Sequence, residues 1–340
     1  MLLREEVALA PYTTFGIGGP ARWFAEAEDE ASVVEAVRFA RERGVPLFVL
    51  GGGSNVLAAD EGFPGLVLHV AVRGVEQDGS HFRVAAGENW DQFVSLAVDH
   101  GMGGIECLAG IPGTVGGTPV QNVGAYGQEV SGTIVTVRVL NVEHLTFAEL
   151  PTAACGFAYR RSIFNTSQRG KFIVTRVEYR LRNGAFPVIS YPDLKRRFQD
   201  RAEPPSLMGA AAAVREIRHS KGMLLVEGEA DCRSAGSFFK NPVVSEARYE
   251  AIAAAASTPA PRFAAAKGFV KIPAAWLLEE AGFNKGYKLG AAGISNRHTL
   301  ALINRGGATA KDIVALRDQI VAAVEAKFQV QLEPEPVWLG

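Results

Sequence analysis

The chain has 340 residues, which is long for a single hydrophobic core, so we expect two or three subdomains with a ligand cleft between them. Hydrophobic residues make up 48% of the chain and charged residues 21%, a balance that excludes an intrinsically disordered protein. The formal net charge of −1 gives no general reason to expect nucleic acid or an acidic membrane as a partner, and no obligate protein partner is predicted.

The first hundred residues alternate between helix and strand. Helical spacing of apolar residues predicts a helix over 29–43, which Gly44 would end. A short apolar strand at 45–50 leads directly into the first glycine loop, Gly51-Gly52-Gly53-Ser54-Asn55. Further strands are predicted at 66–70 and 82–86, followed by a helix over 90–100.

The middle of the chain is predicted to be mainly β. A second glycine loop, Gly110 to Gly117, precedes long strands at 133–140 and 171–182. In these strands apolar residues recur with a period of two, namely Val135, Val137 and Val139, then Val177, Tyr179 and Leu181. The polar, proline-marked segment 187–205 is the candidate domain boundary. Beyond it the sequence predicts a strand at 299–304, a final extended segment through Trp338, and helices over 209–220, 245–256, 273–281 and 309–328.

The two glycine loops are candidate phosphate-binding elements. Each follows apolar chain, and only glycine lets backbone N–H groups approach phosphate oxygens so closely. Ser54, Asn55 and Thr114 would add side-chain hydrogen bonds. Val56 breaks the GxGxxG pattern and no GK[ST] follows either loop, so neither a Rossmann nor a Walker site fits. A dinucleotide held from two sides remains open, and the alternative is a pair of tight turns.

The stretch from Ala235 to Pro242, with the sequence AGSFFKNP, has the composition of a site. It places a hydroxyl at Ser237, a cation at Lys240 and an amide at Asn241 beside two phenylalanines. The alternative is a glycine turn that leads into a strand, with Ser237 as an internally satisfied hydroxyl.

Cysteine and histidine usage narrows the class of protein. Three separated cysteines without CxxC spacing cannot form a complete disulfide framework, so a reducing cytosol is the simplest location. The N-terminus has no apolar signal region and no segment is long enough to span a bilayer. The six histidines show no HxxxH or HExxH pairing, so no metal site is expected and each is interpreted as a surface or packing residue.

Seven motifs, in order and spacing along nearly the whole chain, resemble the UDP-N-acetylenolpyruvoylglucosamine reductase family, in the branch with an extra substrate-loop tyrosine. They are TTFGIGG (13–19), GGGSN (51–55), IPGTVGG (111–117), QNVGAYG (121–127), FAYR (157–160), AGSFFKNP (235–242) and LEPE (332–335). The resemblance implies an α+β protein with the FAD-binding fold of vanillyl-alcohol oxidase (PCMH type). Residues 1–70 and 71–205 would form two FAD-binding subdomains, 206–327 a smaller α+β substrate domain, and 328–340 would return to the active site.

The resemblance also implies the reaction and its cofactors. NADPH would reduce a noncovalent FAD, which would pass a hydride from N5 to the enol ether of UDP-N-acetylglucosamine enolpyruvate. Delivery of a proton to the neighbouring carbon would then give UDP-N-acetylmuramate, a precursor of peptidoglycan.

By the same resemblance, Arg160 would stabilise the developing enolate, Ser237 would donate the proton, and Glu335 would help to polarise the enolate. Arginine suits this role because its planar fork stays protonated and matches a carboxylate. The substrate contacts would come from Tyr159, Tyr191, Lys221, Lys240 and Asn241. After Lys221 the chain continues GMLLV where the family carries a proline-rich turn, so the lysine that binds the diphosphate stays open. The FAD contacts would come from Gly51, Gly52, Gly53, Ser54, Asn55, Ile111, Pro112, Gly113, Thr114, Gly117, Asn122, Gly124 and Ala125.

Two alternatives remain at this point. An FAD-dependent oxidase of the same superfamily would reoxidise its flavin with oxygen, and many such oxidases attach FAD through a histidine that 51–57 lacks. A non-catalytic protein that binds flavin or a nucleotide sugar would keep the pocket but would not need Arg160, Ser237 and Glu335 together.

Overall fold

The computed structural model describes residues 1–184, 186–200 and 203–340. Its helices are α1 (Glu30–Glu42), α2 (Trp90–Asp99), α3 (Pro192–Phe198), α4 (Leu207–Ser220), α5 (Glu246–Ala255), α6 (Ala274–Glu280) and α7 (Ala310–Phe328). Its strands are β1 (Leu2–Ala8), β2 (Pro20–Ala27), β3 (Leu47–Leu50), β4 (Val56–Ala58), β5 (Phe63–Val70), β6 (Val75–Asp78), β7 (His81–Ala85), β8 (Met102–Gly103), β9 (Gly124–Ala125), β10 (Gln128–Glu129), β11 (Ile134–Asn141), β12 (Thr146–Pro151), β13 (Phe172–Arg180), β14 (Arg182–Asn183), β15 (Val243–Ser245), β16 (Phe263–Ala264), β17 (Phe269–Lys271), β18 (Lys288–Leu289), β19 (Ala292–Ile294), β20 (Leu302–Asn304) and β21 (Val337–Leu339).

The chain divides into two compact units. Unit 1 comprises Met1–Val7, Ala21–Gly53 and Phe63–His219, and unit 2 comprises Ala8–Pro20, Ser54–Gly62 and Ser220–Gly340. The division groups most of 1–205 in unit 1, whereas 8–20, 54–62 and the C-terminal 328–340 belong to unit 2. The three-part boundaries at 70, 205 and 327 stay a prediction.

Unit 1 contains two larger sheets. The first has the order β1-β2-β5-β3, with β5 parallel to both β2 and β3. Helix α1 contributes a buried stripe at helical spacing, namely Val33, Ala36, Val37 and Ala40, and Asp29 caps its first turn by accepting the Ser32 N–H at 2.7 Å. The second sheet is antiparallel, with the order β12-β11-β13-β7-β6.

A three-residue polar contact ties α1 to the antiparallel sheet. Arg138 on β11 makes two hydrogen bonds to Glu30, at 2.7 and 3.0 Å, and the Thr175 hydroxyl on β13 donates to the same carboxylate at 2.8 Å. The Arg138 guanidinium holds the pKa of Glu30 below its usual value. The second glycine loop bonds to the backbone just after β7 of this sheet, since the Gly116 N–H donates to the Ala86 carbonyl at 2.8 Å.

Unit 2 has its own hydrophobic core, in which Phe238 and Phe239 are almost fully buried. Helix α7 packs its stripe of Ile313, Leu316, Ile320 and Val324 into this core. Strand β21 pairs in parallel with β4, so the C-terminal segment is part of the folded unit. The mixture of helix and sheet confirms the expected α+β class.

Most predicted elements are present with ends displaced by a few residues, but one helix was missed. Helix α3 occupies Pro192–Phe198 inside the segment that the sequence marked as a proline-rich boundary, because Pro192 stands in the first turn, where the missing N–H costs nothing. Arg201 and Ala202 of the same segment lie outside the described residues.

All three cysteines are buried and carry free thiols. Burial raises the pKa of Cys107 to about 12 and that of Cys155 to about 11, so these thiols stay protonated and act as small apolar residues. Among the described residues no helix is both long enough and apolar enough to cross a membrane.

Candidate active site

The two glycine loops meet each other in unit 1. A Cβ added to Gly52 would lie 2.6 Å from the Cα of Gly113, and one added to Gly51 would lie 2.7 Å from the hydroxyl oxygen of Thr114. At Gly52 the neighbouring atoms are backbone, so no side chain fits there, whereas at Gly51 the Thr114 hydroxyl would have to rotate away. The two loops, which lie about sixty residues apart in the chain, are therefore in close contact, and a dinucleotide bound by both of them stays a prediction.

The second glycine loop is held in place at several points. The Trp90 N–H at the start of α2 donates to the Gly113 carbonyl at 3.1 Å. The Gly110 N–H donates to Asp91 at 2.6 Å, and the Gly110 carbonyl accepts from Nε of Arg218 at 2.9 Å. Arg218 is 6% exposed, and burial lowers the pKa of its guanidinium. Helices α2 and α4 thus fix this loop, and Arg218 is a site-supporting residue that sequence reasoning missed.

The glycine loops fit the phosphates of a dinucleotide cofactor. A Cβ at Gly117, four residues after Gly113 in the same loop, would meet no atom within 4 Å, and this glycine is exposed. A rigid glycine backbone with an open side is what the close approach of an anion requires. The predicted contacts at Ile111, Pro112, Gly113 and Thr114 are partly exposed on the same loop.

Asn122 differs from the other predicted cofactor residues, since its side chain is engaged within the protein. Its Nδ2 donates to Glu129 at 2.9 Å and to the Ala158 carbonyl at 3.1 Å, while its Oδ1 accepts the Ser131 N–H at 3.1 Å. The residue is 1% exposed. A cofactor contact there would have to use the backbone, and it stays a prediction, as do those at Gly124 and Ala125 on the adjacent strand β9.

Arg160 lies at the corner of a tight turn in unit 1. Ala158 and Arg161 exchange two backbone hydrogen bonds of 3.0 Å, which places Tyr159 and Arg160 at the tip. Arg160 has φ of 54°, a left-handed conformation that is uncommon for a residue other than glycine. Its carbonyl accepts Nδ2 of Asn165 at 3.1 Å. The surrounding turn therefore imposes a strained backbone on the residue that the sequence marked as catalytic.

Two aromatic residues pack together at the predicted substrate loop. Tyr191 is 39% exposed, and its ring contacts that of Tyr126 edge-on, with a centroid distance of 5.2 Å. Tyr126 is 7% exposed and adopts φ of 49°. Sequence reasoning placed Tyr191 here but did not single out Tyr126, whose only signal was its position before Gly127 in QNVGAYG.

In unit 2 the chain brings Ser237 and Glu335 onto paired segments. The Glu335 N–H donates to the Phe238 carbonyl at 2.8 Å, and Phe239 forms an antiparallel bridge with Pro334. The carbonyl of Glu335 also accepts Nδ2 of Asn55 at 3.2 Å. The last residue of the first glycine loop therefore fixes the backbone of the predicted catalytic carboxylate.

The remaining predicted substrate residues differ in their surroundings. Lys240 forms an ion pair with Glu333, so Glu333 already has a cationic partner. Asn241 accepts the Ala274 N–H through Oδ1 at 2.9 Å, which caps the first turn of α6. Lys221 is partly exposed just after α4.

Two residues near Ser237 were missed by sequence reasoning. Oγ of Ser237 lies 3.4 Å from Nε2 of His298, a histidine interpreted above as a surface or packing residue. Arg233, four positions before Ser237, has a buried Nε that finds no hydrogen-bond partner among the described residues. No sequence motif indicates the role of either residue. The contact of His298 with Ser237 joins positions that are 61 residues apart, so no local pattern predicts it.

Comparison with known proteins supplies the family. A family model described as an FAD binding domain matches residues 21–148, and one described as the C-terminal domain of UDP-N-acetylenolpyruvoylglucosamine reductase matches residues 228–339. The reductase of Streptomyces coelicolor is 43% identical over 99% of this chain and 90% of its own length. The reductase of Thermobifida fusca is 44% identical over 99% of this chain and 98% of its own. The chain belongs to the UDP-N-acetylenolpyruvoylglucosamine reductase family.

Structural comparison agrees with this family. The crystal structure of the UDP-N-acetylenolpyruvylglucosamine reductase of Thermus caldophilus matches with a TM-score of 0.69 and 28% identity, over 100% of both chains. The FAD binding domain covers strands β3, β5 and β7, nearly all of β2 and both glycine loops, and the reductase C-terminal domain covers Ser237 and Glu335. The resemblance found in the sequence is therefore confirmed, together with the FAD-binding class of the fold.

The glycine contact yields a first prediction for this reductase-family chain. We expect Gly52→Ala to lower both FAD retention and the free energy of unfolding, the latter by about 1–3 kcal/mol, since the added Cβ meets backbone that cannot move aside. FAD content after gel filtration and thermal unfolding measure the two effects.

Two other glycines provide matched controls. Gly132→Ala adds a Cβ that meets no atom within 4 Å, and we expect it to change neither quantity. Gly117→Ala also meets nothing in the protein, so we expect it to weaken FAD binding without lowering the stability of the FAD-free protein. Wild-type FAD content and stability in Gly52→Ala would contradict the assignment of the loop contact.

Proposed function

We infer that this chain catalyses the NADPH-dependent, FAD-mediated reduction of UDP-N-acetylglucosamine enolpyruvate to UDP-N-acetylmuramate in peptidoglycan precursor synthesis. The observation that carries this function is full-length identity above 40% to reductases of this name, joined to a glycine cradle that fits the cofactor. When bound, FAD supplies the hydride chemistry between NADPH and the enol ether.

The arginine at the strained turn supports the electrostatic part of the proposal. Hydride addition to an unsaturated carboxylate builds negative charge on the carboxylate oxygens, and a fixed guanidinium stabilises that charge without reorganising. We propose Arg160 for this role, because its turn is held by the Ser162–Asn165 capping box and by the bond from Asn165 to its carbonyl. Tyr159, whose ring lies 5.3 Å from the guanidinium carbon, would line the same pocket.

The proton-transfer part rests on Ser237 and Glu335. We propose that Ser237 donates a proton from Oγ to the carbon next to the carboxylate, and that Glu335 helps to polarise the enolate. Support comes from the backbone pairing of their two segments. Glu335 is proposed rather than Glu333 because the resemblance assigns the catalytic acid to the second Glu of LEPE.

The substrate contacts are proposed on the same basis. Tyr191 is exposed and packed on Tyr126, a geometry that suits a ring covering a nucleotide. The side chain of Asn241 is partly exposed and uses Oδ1 to cap α6, so we propose that its Nδ2 donates to the uridine diphosphate end of the substrate. We propose that Lys221 binds the diphosphate. Lys240 would have to leave its ion pair with Glu333 in order to bind the substrate. We also propose a cytosolic location, consistent with three free cysteines.

One anaerobic experiment tests the function. The purified protein, loaded with FAD, is titrated with NADPH and then mixed with UDP-N-acetylglucosamine enolpyruvate while flavin absorbance is followed. We expect bleaching by NADPH, recovery of the oxidised spectrum on mixing, and formation of UDP-N-acetylmuramate with release of NADP.

Two other outcomes would overturn the proposal. Recovery of the flavin spectrum only after oxygen is admitted would favour an oxidase. A substrate that binds without any change in flavin absorbance would favour a non-catalytic nucleotide-sugar binding protein.

A further inference from the structure

His298 lies beside Ser237 on a loop whose backbone is held by hydrogen bonds. Its Nε2 lies 3.4 Å from Oγ of Ser237, and both side chains are partly buried. The loop that carries it, between β19 and β20, is fixed on both sides. The Phe238 N–H donates to the Leu300 carbonyl at 2.8 Å, and the Ala301 N–H donates to the His298 carbonyl at 3.1 Å. The contact therefore results from ordered backbone on both sides.

A serine that donates a proton to carbon needs a partner. Its hydroxyl is a weak acid, and loss of the proton leaves negative charge on Oγ that must be neutralised before the next turnover. Histidine suits this task, since its pKa of about 6.5 lets it hold or release a proton near neutral pH. A separation of 3.4 Å is long for a hydrogen bond, but such bonds are commonly long without substrate.

We propose that His298 is a positioning residue that hydrogen-bonds Ser237 and returns its proton. This proposal rests on the proposed role of Ser237 and adds a residue to it. As the O–H bond of Ser237 breaks toward the substrate carbon, the Nε2–H bond of protonated His298 breaks toward Oγ. The serine hydroxyl is restored, His298 is left neutral, and it takes a proton from water. No electrons are gained or lost in this step.

The charged groups on the surrounding segments do not replace His298. Arg297, the neighbour in the same loop, is paired with Glu229 at 2.6 Å and with Asp231 at 3.4 Å. On helix α6, Glu279 accepts the hydroxyl of Thr299. Lys240, three residues after Ser237, is paired with Glu333. Two further charged residues on these segments are Arg233, four residues before Ser237, and Glu335, whose N–H donates to the Phe238 carbonyl.

The test is His298→Gln, which keeps a hydrogen-bonding side chain but removes titration near neutral pH. The rate of flavin reoxidation by the enolpyruvyl substrate is measured anaerobically in single turnovers between about pH 5.5 and 9, a span that covers the histidine titration. In the wild type we expect the rate to fall as pH rises, because the relay needs protonated His298. In the variant we expect a rate about a hundredfold lower and free of that decline.

Controls separate this relay from a structural role. Reduction of the flavin by NADPH should keep its wild-type rate in His298→Gln. His69→Gln, which removes a histidine that contacts Glu26 at 3.3 Å in unit 1, should leave both half-reactions unchanged. A slower variant whose pH profile keeps the wild-type shape would overturn the relay, as would a variant with the wild-type rate. If His298→Gln does not retain FAD, His298→Asn replaces it.

A second readout does not depend on activity. In the FAD-loaded protein with ¹⁵N-labelled histidine, the ring signal that is missing in the His298 variant identifies this residue. We expect Ser237→Ala to shift its titration midpoint, and an unchanged midpoint would contradict the contact. Should the wild type fail to reduce the substrate at all, the proposed function fails while this measurement still tests the pairing of His298 with Ser237.

Discussion

Ser237→Ala is expected to slow flavin reoxidation by the enolpyruvyl substrate by about 10²–10⁴-fold, the usual contribution of a positioned acid. The alanine removes the hydroxyl but not the turn, because Gly236 and the backbone bond from Phe238 to Leu300 are untouched. Reduction by NADPH and the affinity for FAD should therefore stay close to wild type. Stopped-flow absorbance of the flavin measures both half-reactions separately.

Ser245→Ala is the matched control for this variant. Ser245 also lies in unit 2, but its hydroxyl caps helix α5 by accepting the Arg248 N–H. We expect Ser245→Ala to lower the free energy of unfolding by about 1 kcal/mol and to leave both half-reactions unchanged. A wild-type reoxidation rate in Ser237→Ala would remove Ser237 as proton donor and, with it, the relay through His298.

Arg160→Met is expected to reduce the same half-reaction by about 10²–10³-fold, because it removes the charge that we propose stabilises the developing enolate. The methionine keeps much of the apolar length of the side chain, so the turn should persist. Arg160→Lys keeps the charge but loses the planar fork, and we expect it to recover only part of the rate. Reoxidation rates across substrate concentrations separate loss of binding from loss of the chemical step.

The neighbouring Arg161→Met is the control for position and charge. Arg161 is exposed, and its contribution to the turn is made by backbone atoms that the substitution leaves in place. We expect wild-type rates from it. Equal losses of reoxidation rate in the two variants would indicate a general electrostatic effect and would contradict a specific role for Arg160.

Local signals predicted the elements that depend on local interactions. Apolar spacing predicted α1, α2 and α7, and the structure shows that Asp29, Asn89 and Thr309 cap them with side chains that bond backbone only three residues away. Strand β11 follows from the alternating Val135, Val137 and Val139, and β13 from the alternating apolar residues Val177 and Tyr179. Helix α3 was missed because proline is common both at domain boundaries and in the first turn of a helix. Only the packing around Pro192 decides between the two.

The motifs in the chain by themselves determined the family, the cofactor and the candidate residues, because glycine loops and AGSFFKNP are short segments whose chemistry needs fixed residue types. Tertiary structure decided which of those side chains have polar groups left for a ligand. The amide of Asn122 is fully engaged within the protein, and Lys240 is paired with Glu333. Tertiary structure also decided the positive φ of Arg160, which the sequence of its turn does not predict. It also decided that His298 lies beside Ser237. Contacts between residues this distant in the chain arise when backbone segments pack, and no local pattern of residues encodes them.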